Sequence, residues 1–169
     1  MRAYTGKGDQ GFTTLVNGRK VRKSDMVLGL LGSIDELNAF IGFLISLLEN
    51  GDYKNDLRNL QERLSKIMGV IARVQKDREL DFSMENSLAW LEEKIGELER
   101  DLDNPQSFTF PGESSSGAAM DICRTVSRRV ERSAVAYHDE TGLLNISILA
   151  FLNRLSSYFY IMRLQADRT

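Results

Sequence analysis

Apolar residues recur at spacings of three and four along most of the chain, the mark of helices that each bury one face. Ile34, Leu37, Phe40, Ile41, Leu44, Leu47 and Leu48 set the first such stripe. The helical pattern opens near Ser24, and Ser33 followed by Glu36 matches a capping box, so the first helix is expected to begin by residue 33 at the latest. Asn50-Gly51-Asp52 interrupts it, and Leu57, Leu60, Leu64, Ile67, Met68, Ile71 and Val74 predict a second helix. Leu88, Leu91, Ile95, Leu98 and Leu102 predict a third, ended at Asp103-Asn104-Pro105 because proline cannot continue the hydrogen-bond ladder. Ser114, Ser115 and Ser116 can cap a fourth that runs to about His138, with Ala119, Ile122, Val126, Val130 and Tyr137 on one side. After Thr141-Gly142 a fifth, from about Asn145 to Ala166, is apolar nearly all round, as a helix is when it is buried on several sides within a bundle or between subunits.

Two segments break this rhythm. Residues 1–23 carry glycine at positions 6, 8, 11 and 18 with Lys7, Arg19, Lys20, Arg22 and Lys23, and read as a flexible loop with a short hairpin. Phe108-Thr109-Phe110-Pro111-Gly112-Glu113 reads as a connector, since the residue before proline is driven to an extended conformation. At 169 residues and 42% apolar content, the chain is expected to form one all-α domain over 1–169, with the loop at 1–23 and a five-helix bundle over 24–169.

Composition narrows the chemistry. One cysteine, Cys123, excludes an internal disulfide or a multi-thiolate zinc site, and it suits a small buried apolar role in a reducing, cytoplasmic setting. One histidine, His138, leaves no material for a zincin or a Ser-His-Asp triad, and its place near a helix end fits a capping partner. No metal site is expected from the side chains. A net charge of −2, from 22 cations and 24 anions, gives no general attraction to nucleic acid, and no apolar run is expected to reach the roughly 18 residues of a membrane span.

Local signals remain. Gly6-Lys7-Gly8-Asp9-Gln10-Gly11 matches the dinucleotide fingerprint in letters, yet the β-branched Phe12-Thr13-Thr14-Leu15-Val16 that follows opens no βαβ unit, so that reading is rejected. Either the loop is a solvated terminus, or its backbone N–H groups, Lys7 and the hydroxyls of Thr5, Thr13 and Thr14 wrap phosphate oxygens. On the fourth helix, Arg124, Arg128 and Glu131 fall within roughly 60° of arc, opposite the apolar stripe. Either that face is solvated and internally paired, or it grips a carboxylate or polyphosphate; Glu131 and Asp35 are candidate counter-charges. Asn153-Arg154 interrupts the apolar fifth helix and needs a partner on a neighbouring helix or on a ligand, while Asp35, Glu36 and Asn38 are capping groups, ion-pair partners or site residues.

Together these residues resemble a known family. Tyr4-Thr5 with Gly8-Asp9-Gln10-Gly11-Phe12-Thr13, Lys23-Ser24-Asp25, Gly32-Ser33-Ile34-Asp35-Glu36-Leu37-Asn38, Phe108 to Gly112, Arg124 to Arg132 and Phe151-Leu152-Asn153-Arg154-Leu155-Ser156 are similar, in order, to the PduO-type ATP:cob(I)alamin adenosyltransferases. The resemblance implies a five-helix bundle packed as a homotrimer, with ATP and cobalamin bound between subunits. It implies transfer of the 5′-deoxyadenosyl group of ATP to the cobalt of cob(I)alamin, with Mg²⁺ accompanying ATP, triphosphate released, and a corrinoid reductase as a partner. The alternative is a cobalamin- or nucleotide-binding carrier or sensor without chemistry. By motif, Thr5, Gly8 and Asp9 would belong to the ATP-wrapping loop, Lys23 to phosphate binding, Arg128 to the triphosphate, and Glu131 and Asn153 to the ATP site. Arg124 would pair with Asp35 across a subunit boundary, and Phe108 would pack beneath the corrin ring, displacing the lower axial ligand. Gly6-Lys7, Glu113 and Ser157 depart from the family pattern, in the loop, the connector and the fifth helix respectively.

Overall fold

The computed structural model describes residues 4–49, 51–73, 84–100, 102 and 110–167. Val74, Pro105 and Phe108, to which the sequence assigns parts, lie outside the described residues. Two short strands, β1 (Phe12–Thr14) and β2 (Lys20–Arg22), pair antiparallel with Thr13 opposite Val21. Five helices follow: α1 (Met26–Leu47), α2 (Gly51–Ile71), α3 (Glu85–Glu99), α4 (Ser115–Thr141) and α5 (Ile146–Ala166).

The hairpin is pinned by Leu15 and Val21, which join the buried apolar cluster of the helices. Helix α1 starts seven residues before Ser33: Asp25 is its N-cap, its carboxylate accepting from the Val27 N–H at 3.0 Å. The Ser33-x-x-Glu36 match is therefore no capping box. Val27 and Leu30 extend the apolar period upstream, and the Ser33 hydroxyl donates back to the Gly29 carbonyl at 2.9 Å within the helix. Ser114 caps α4 through the Gly117 N–H at 3.0 Å, and Asn145 caps α5 through the Ser147 N–H at 2.8 Å. Gly142 closes α4 at φ +66°, a left-handed conformation that glycine adopts without Cβ strain, and its N–H donates to the His138 carbonyl.

Helix α4 packs against both α5 and α1, while α2 lies on α1 and α3 on α5. Val27, Leu30, Ile34, Leu37, Ile41 and Leu44 form the buried stripe of α1, meeting Met120, Cys123, Val126 and Val130 of α4 in the same cluster. Contrary to the sequence expectation, α1 is long and apolar enough to cross a membrane by length and composition. In the bundle that apolar character serves a core helix, and Asp35 and Glu36 stand exposed at its middle. Between α2 and α3, the Arg63 guanidinium lies 4.0 Å from the centre of the Trp90 ring. Helix α5 is enclosed on most of its circumference, with Phe151, Leu152, Leu155, Tyr158 and Phe159 fully buried, as its all-round apolarity predicts. Its exposed strip contains Ile146, Asn153, Ser157 and Tyr160.

Candidate functional site

Four-residue spacing places Arg124, Arg128 and Arg132 in one row along α4, turned away from the buried Cys123, Val126 and Val130. Like charges one turn apart repel, so the row invites anions. A cavity of about 340 Å³ opens over it, lined by Arg128, Glu131, Arg132, Val135, Ala136 and Asp139.

Glu131 is not paired with Arg128. Its Oε1 accepts from the Asn153 amide of α5 at 2.6 Å. Asn153 in turn accepts from Arg154 Nη1 at 2.8 Å, and Arg154 Nε donates to Glu92 of α3 at 3.0 Å. This chain, Glu92–Arg154–Asn153–Glu131, fixes which way the Asn153 amide faces and holds the Glu131 carboxylate at the cavity while Arg128 has no ion pair among the described residues. The sequence pointed to Glu131, Asn153 and Arg128 but not to the link through Glu92. That link is readable only once α3 is known to lie on α5.

The neighbouring cations are differently committed. Arg129 is ion-paired with Glu36 of α1, which settles Glu36 as an ion-pair partner. Arg124 donates from Nε to Asp121 Oδ1 at 2.7 Å, so within one chain its partner is Asp121, not Asp35. Asp35 is exposed and without a partner among the described residues.

The N-terminal loop forms a second group. Gly6 and Gly11, at φ +71° and +76°, allow successive turns in which the Asp9 N–H donates to the Gly6 carbonyl at 3.2 Å and the Gly11 N–H to the Gly8 carbonyl at 3.1 Å. The Lys23 N–H donates to the Gly11 carbonyl at 2.8 Å, and the Lys23 ammonium nitrogen lies 3.0 Å from the point a Gly8 Cβ would occupy. Lys23, Gly8 and Asp9 thus converge, with Thr5 beside them accepting from the Lys7 N–H at 3.4 Å. No described residue of this loop lines the α4 cavity of the same chain.

Other sequence readings resolve simply. Cys123 is fully buried, and burial pushes its thiol up to about 12. His138 Nδ1 lies 2.9 Å from the Leu144 carbonyl beyond the α4 terminus, in keeping with a structural role at that end. Lys7, Glu113 and Ser157 are exposed, and Phe110 is 72% exposed at the edge of the connector. Among the described residues no cluster of three or more His, Cys, Asp or Glu could hold a metal ion by itself.

Comparison with known proteins gives these groups a context. Residues 3–166 match the family model for cobalamin adenosyltransferase. The corrinoid adenosyltransferase of Bacillus subtilis is 34% identical, over 95% of this chain and 83% of its own length. The Bos taurus corrinoid adenosyltransferase is 32% identical, over 95% and 69%. A variant of a PduO-type ATP:corrinoid adenosyltransferase from Lactobacillus reuteri, solved with cobalamin and ATP, superimposes with a TM-score of 0.90 at 30% identity, covering 99% of this chain and 94% of that one. With residues 3–166 matched by the family model and the fold shared over 99% of the chain, the chain belongs to the cobalamin adenosyltransferase family.

Proposed function

We propose that the chain transfers the 5′-deoxyadenosyl group of ATP to the cobalt of cob(I)alamin, forming adenosylcobalamin and releasing triphosphate. The Co(I) electron pair attacks C5′, and the C5′–O bond breaks with its electrons leaving on the triphosphate. No protein base is consumed, which suits a chain whose single histidine is engaged at a helix end. What the protein supplies is alignment of the reacting atoms and stabilisation of the departing polyanion.

The observation that carries this reading is the Glu92–Arg154–Asn153–Glu131 chain, which holds a fixed amide and carboxylate beside Arg128, an arginine with no ion pair among the described residues. Arg128 would meet the triphosphate, and Asn153 and Glu131 the nucleotide. Thr5, Gly8, Asp9 and Lys23 would wrap the phosphates from the loop, where the Lys23 ammonium already lies against Gly8. Mg²⁺ would travel with ATP. It is commonly held by phosphate oxygens, water and one or two carboxylates, so Glu131 and Asp139 at the cavity fit it and no protein cage is needed. Bound there, it would neutralise charge on the leaving group.

The assembly we propose is a homotrimer with sites between subunits. Its support is that, among the described residues, none of the chain's own loop lines the cavity and none partners Asp35, and that the outer side of α1 exposes Met26, Phe43 and Leu47. Arg124 would then share its guanidinium between Asp121 and a neighbour's Asp35. Phe108 would pack beneath the corrin, and a corrinoid reductase would supply Co(I). The test is anaerobic mixing with reduced cobalamin and MgATP. The cob(I)alamin spectrum should convert to that of adenosylcobalamin with one triphosphate released per turnover; binding of both substrates without conversion would refute transfer.

A further inference from the structure

One charged cluster has no part in the proposed nucleotide site. Arg163, on the last turn of α5, has a side chain only 3% exposed. Its Nε stands 2.7 Å from Asp167 Oδ2 and 3.6 Å from Asp121 Oδ2, and its Nη2 donates to the Phe110 carbonyl at 2.6 Å. Asp121 is buried too, and its other oxygen, Oδ1, accepts from Arg124. Asp167 is seated against Gly117, where a Cβ would come within 2.8 Å of its Oδ1.

Stability alone does not account for this arrangement. Burying an ion cluster costs solvation, and apolar side chains of similar volume commonly do as well or better. What the guanidinium provides is geometry: its planar fork reaches three separate segments at once, α4, the end of α5 and the connector. The carbonyl it takes belongs to the residue before Pro111, whose ring restricts the backbone on both sides. Fixing that one oxygen therefore sets the direction in which the connector leaves the bundle.

We infer that Arg163 is a positioning residue, which fixes the connector through the Phe110 carbonyl to the same Asp121 carboxylate that orients Arg124. Through Asp121, the corrin side of the proposed site and the arginine row share one buried anchor. The inference rests on the reading that the connector, through Phe108, meets the corrin.

The test variant is Arg163→Met, which leaves Asp121 its ion pair with Arg124 through Oδ1 and Asp167 near solvent. Losing a hydrogen bond from a charged donor should raise the KM for cobalamin about tenfold, with the ATP affinity within about twofold of wild type. The signature of four-coordinate cob(II)alamin, measured by absorbance or electron paramagnetic resonance with ATP present, should fall in parallel. Arg163→Lys, which keeps the charge but not the fork, should be intermediate, and it serves as the probe if Arg163→Met does not fold. Wild-type cobalamin KM and signature in a folded variant would overturn the inference, as would a fall in kcat with both KM values unchanged. Phe108→Ala is measured alongside. If it leaves the signature intact, the corrin-side reading itself fails; if it abolishes the signature while Arg163→Met does not, only the anchoring role fails.

Discussion

Replacing Arg128 by alanine should separate catalysis from folding. The guanidinium is exposed and has no ion pair among the described residues, and Glu131, its only opposite charge one turn away on α4, is held by Asn153. Two like charges flank it at four-residue spacing, Arg124 and Arg132, each pair costing about 0.2–0.5 kcal/mol in an isolated helix. Alanine removes both repulsions and is the better helix former, so stability should rise by about 0.4–1 kcal/mol. For a chain of this length that is an upward Tm shift of about 4 °C or less. Loss of a preorganised donor to a developing anion costs about 2.7–4 kcal/mol, or 10²–10³ in kcat. Arg128→Lys, retaining charge without the planar fork, should fall between. Turnover is read from the anaerobic cobalamin spectrum and folding from thermal melts of the same samples. A kcat within threefold of wild type would remove Arg128 from the site, and an inactive variant melting more than about 5 °C lower would show its role to be structural.

Asp35→Ala should leave the melting of a dilute protomer unchanged, because no described residue of its own chain pairs with it, while raising the trimer dissociation constant about tenfold, the scale of one charged hydrogen bond; sedimentation on dilution that matched wild type would contradict the cross-subunit pairing. Gly117→Ala should destabilise by about 1 kcal/mol despite alanine's helix propensity, since the new Cβ displaces both the Ser114 cap and Asp167; a higher Tm would show that the close approach is easily relieved. Cys123 should resist alkylation in the folded protein at pH 8, its thiol being pushed up from 9.0 to about 12 by burial. Because the folded state then holds a proton that the unfolded chain releases, stability should fall as pH rises from about 9 to 12, and Cys123→Ala should flatten that slope in alkaline melts.

The helices were legible because each carries a continuous stripe at three- and four-residue spacing, and their ends because Ser114, Gly142 and Asn145 cap them. The start of α1 falls within the bound the sequence sets, near Ser24, but not at the Ser33 match: a capping-box match inside an apolar stripe is weaker than the stripe itself, and Val27 and Leu30 carry the helix back to Asp25. Within the site, Arg128, Glu131 and Asn153 stood out as polar groups on or against apolar helices. The Arg163 cluster did not, although its signal was present. Asp121 lies beside Met120 and Cys123, and Arg163 beside Met162, each on the buried stripe of its helix, and two opposite charges so placed commonly meet. Arg154 stands out in the sequence only together with Asn153, and its pairing with Glu92 depends on the packing of α3 on α5, which no spacing within either helix encodes.

Trp90 is the chain's single tryptophan, and the guanidinium stacked on its ring belongs to α2 while the indole belongs to α3. Tryptophan fluorescence therefore comes from one place, the seam between α2 and α3. An emission change that precedes loss of helicity during denaturation would reveal that this flank loosens first; coincident curves would mean that the whole bundle melts as one cooperative unit.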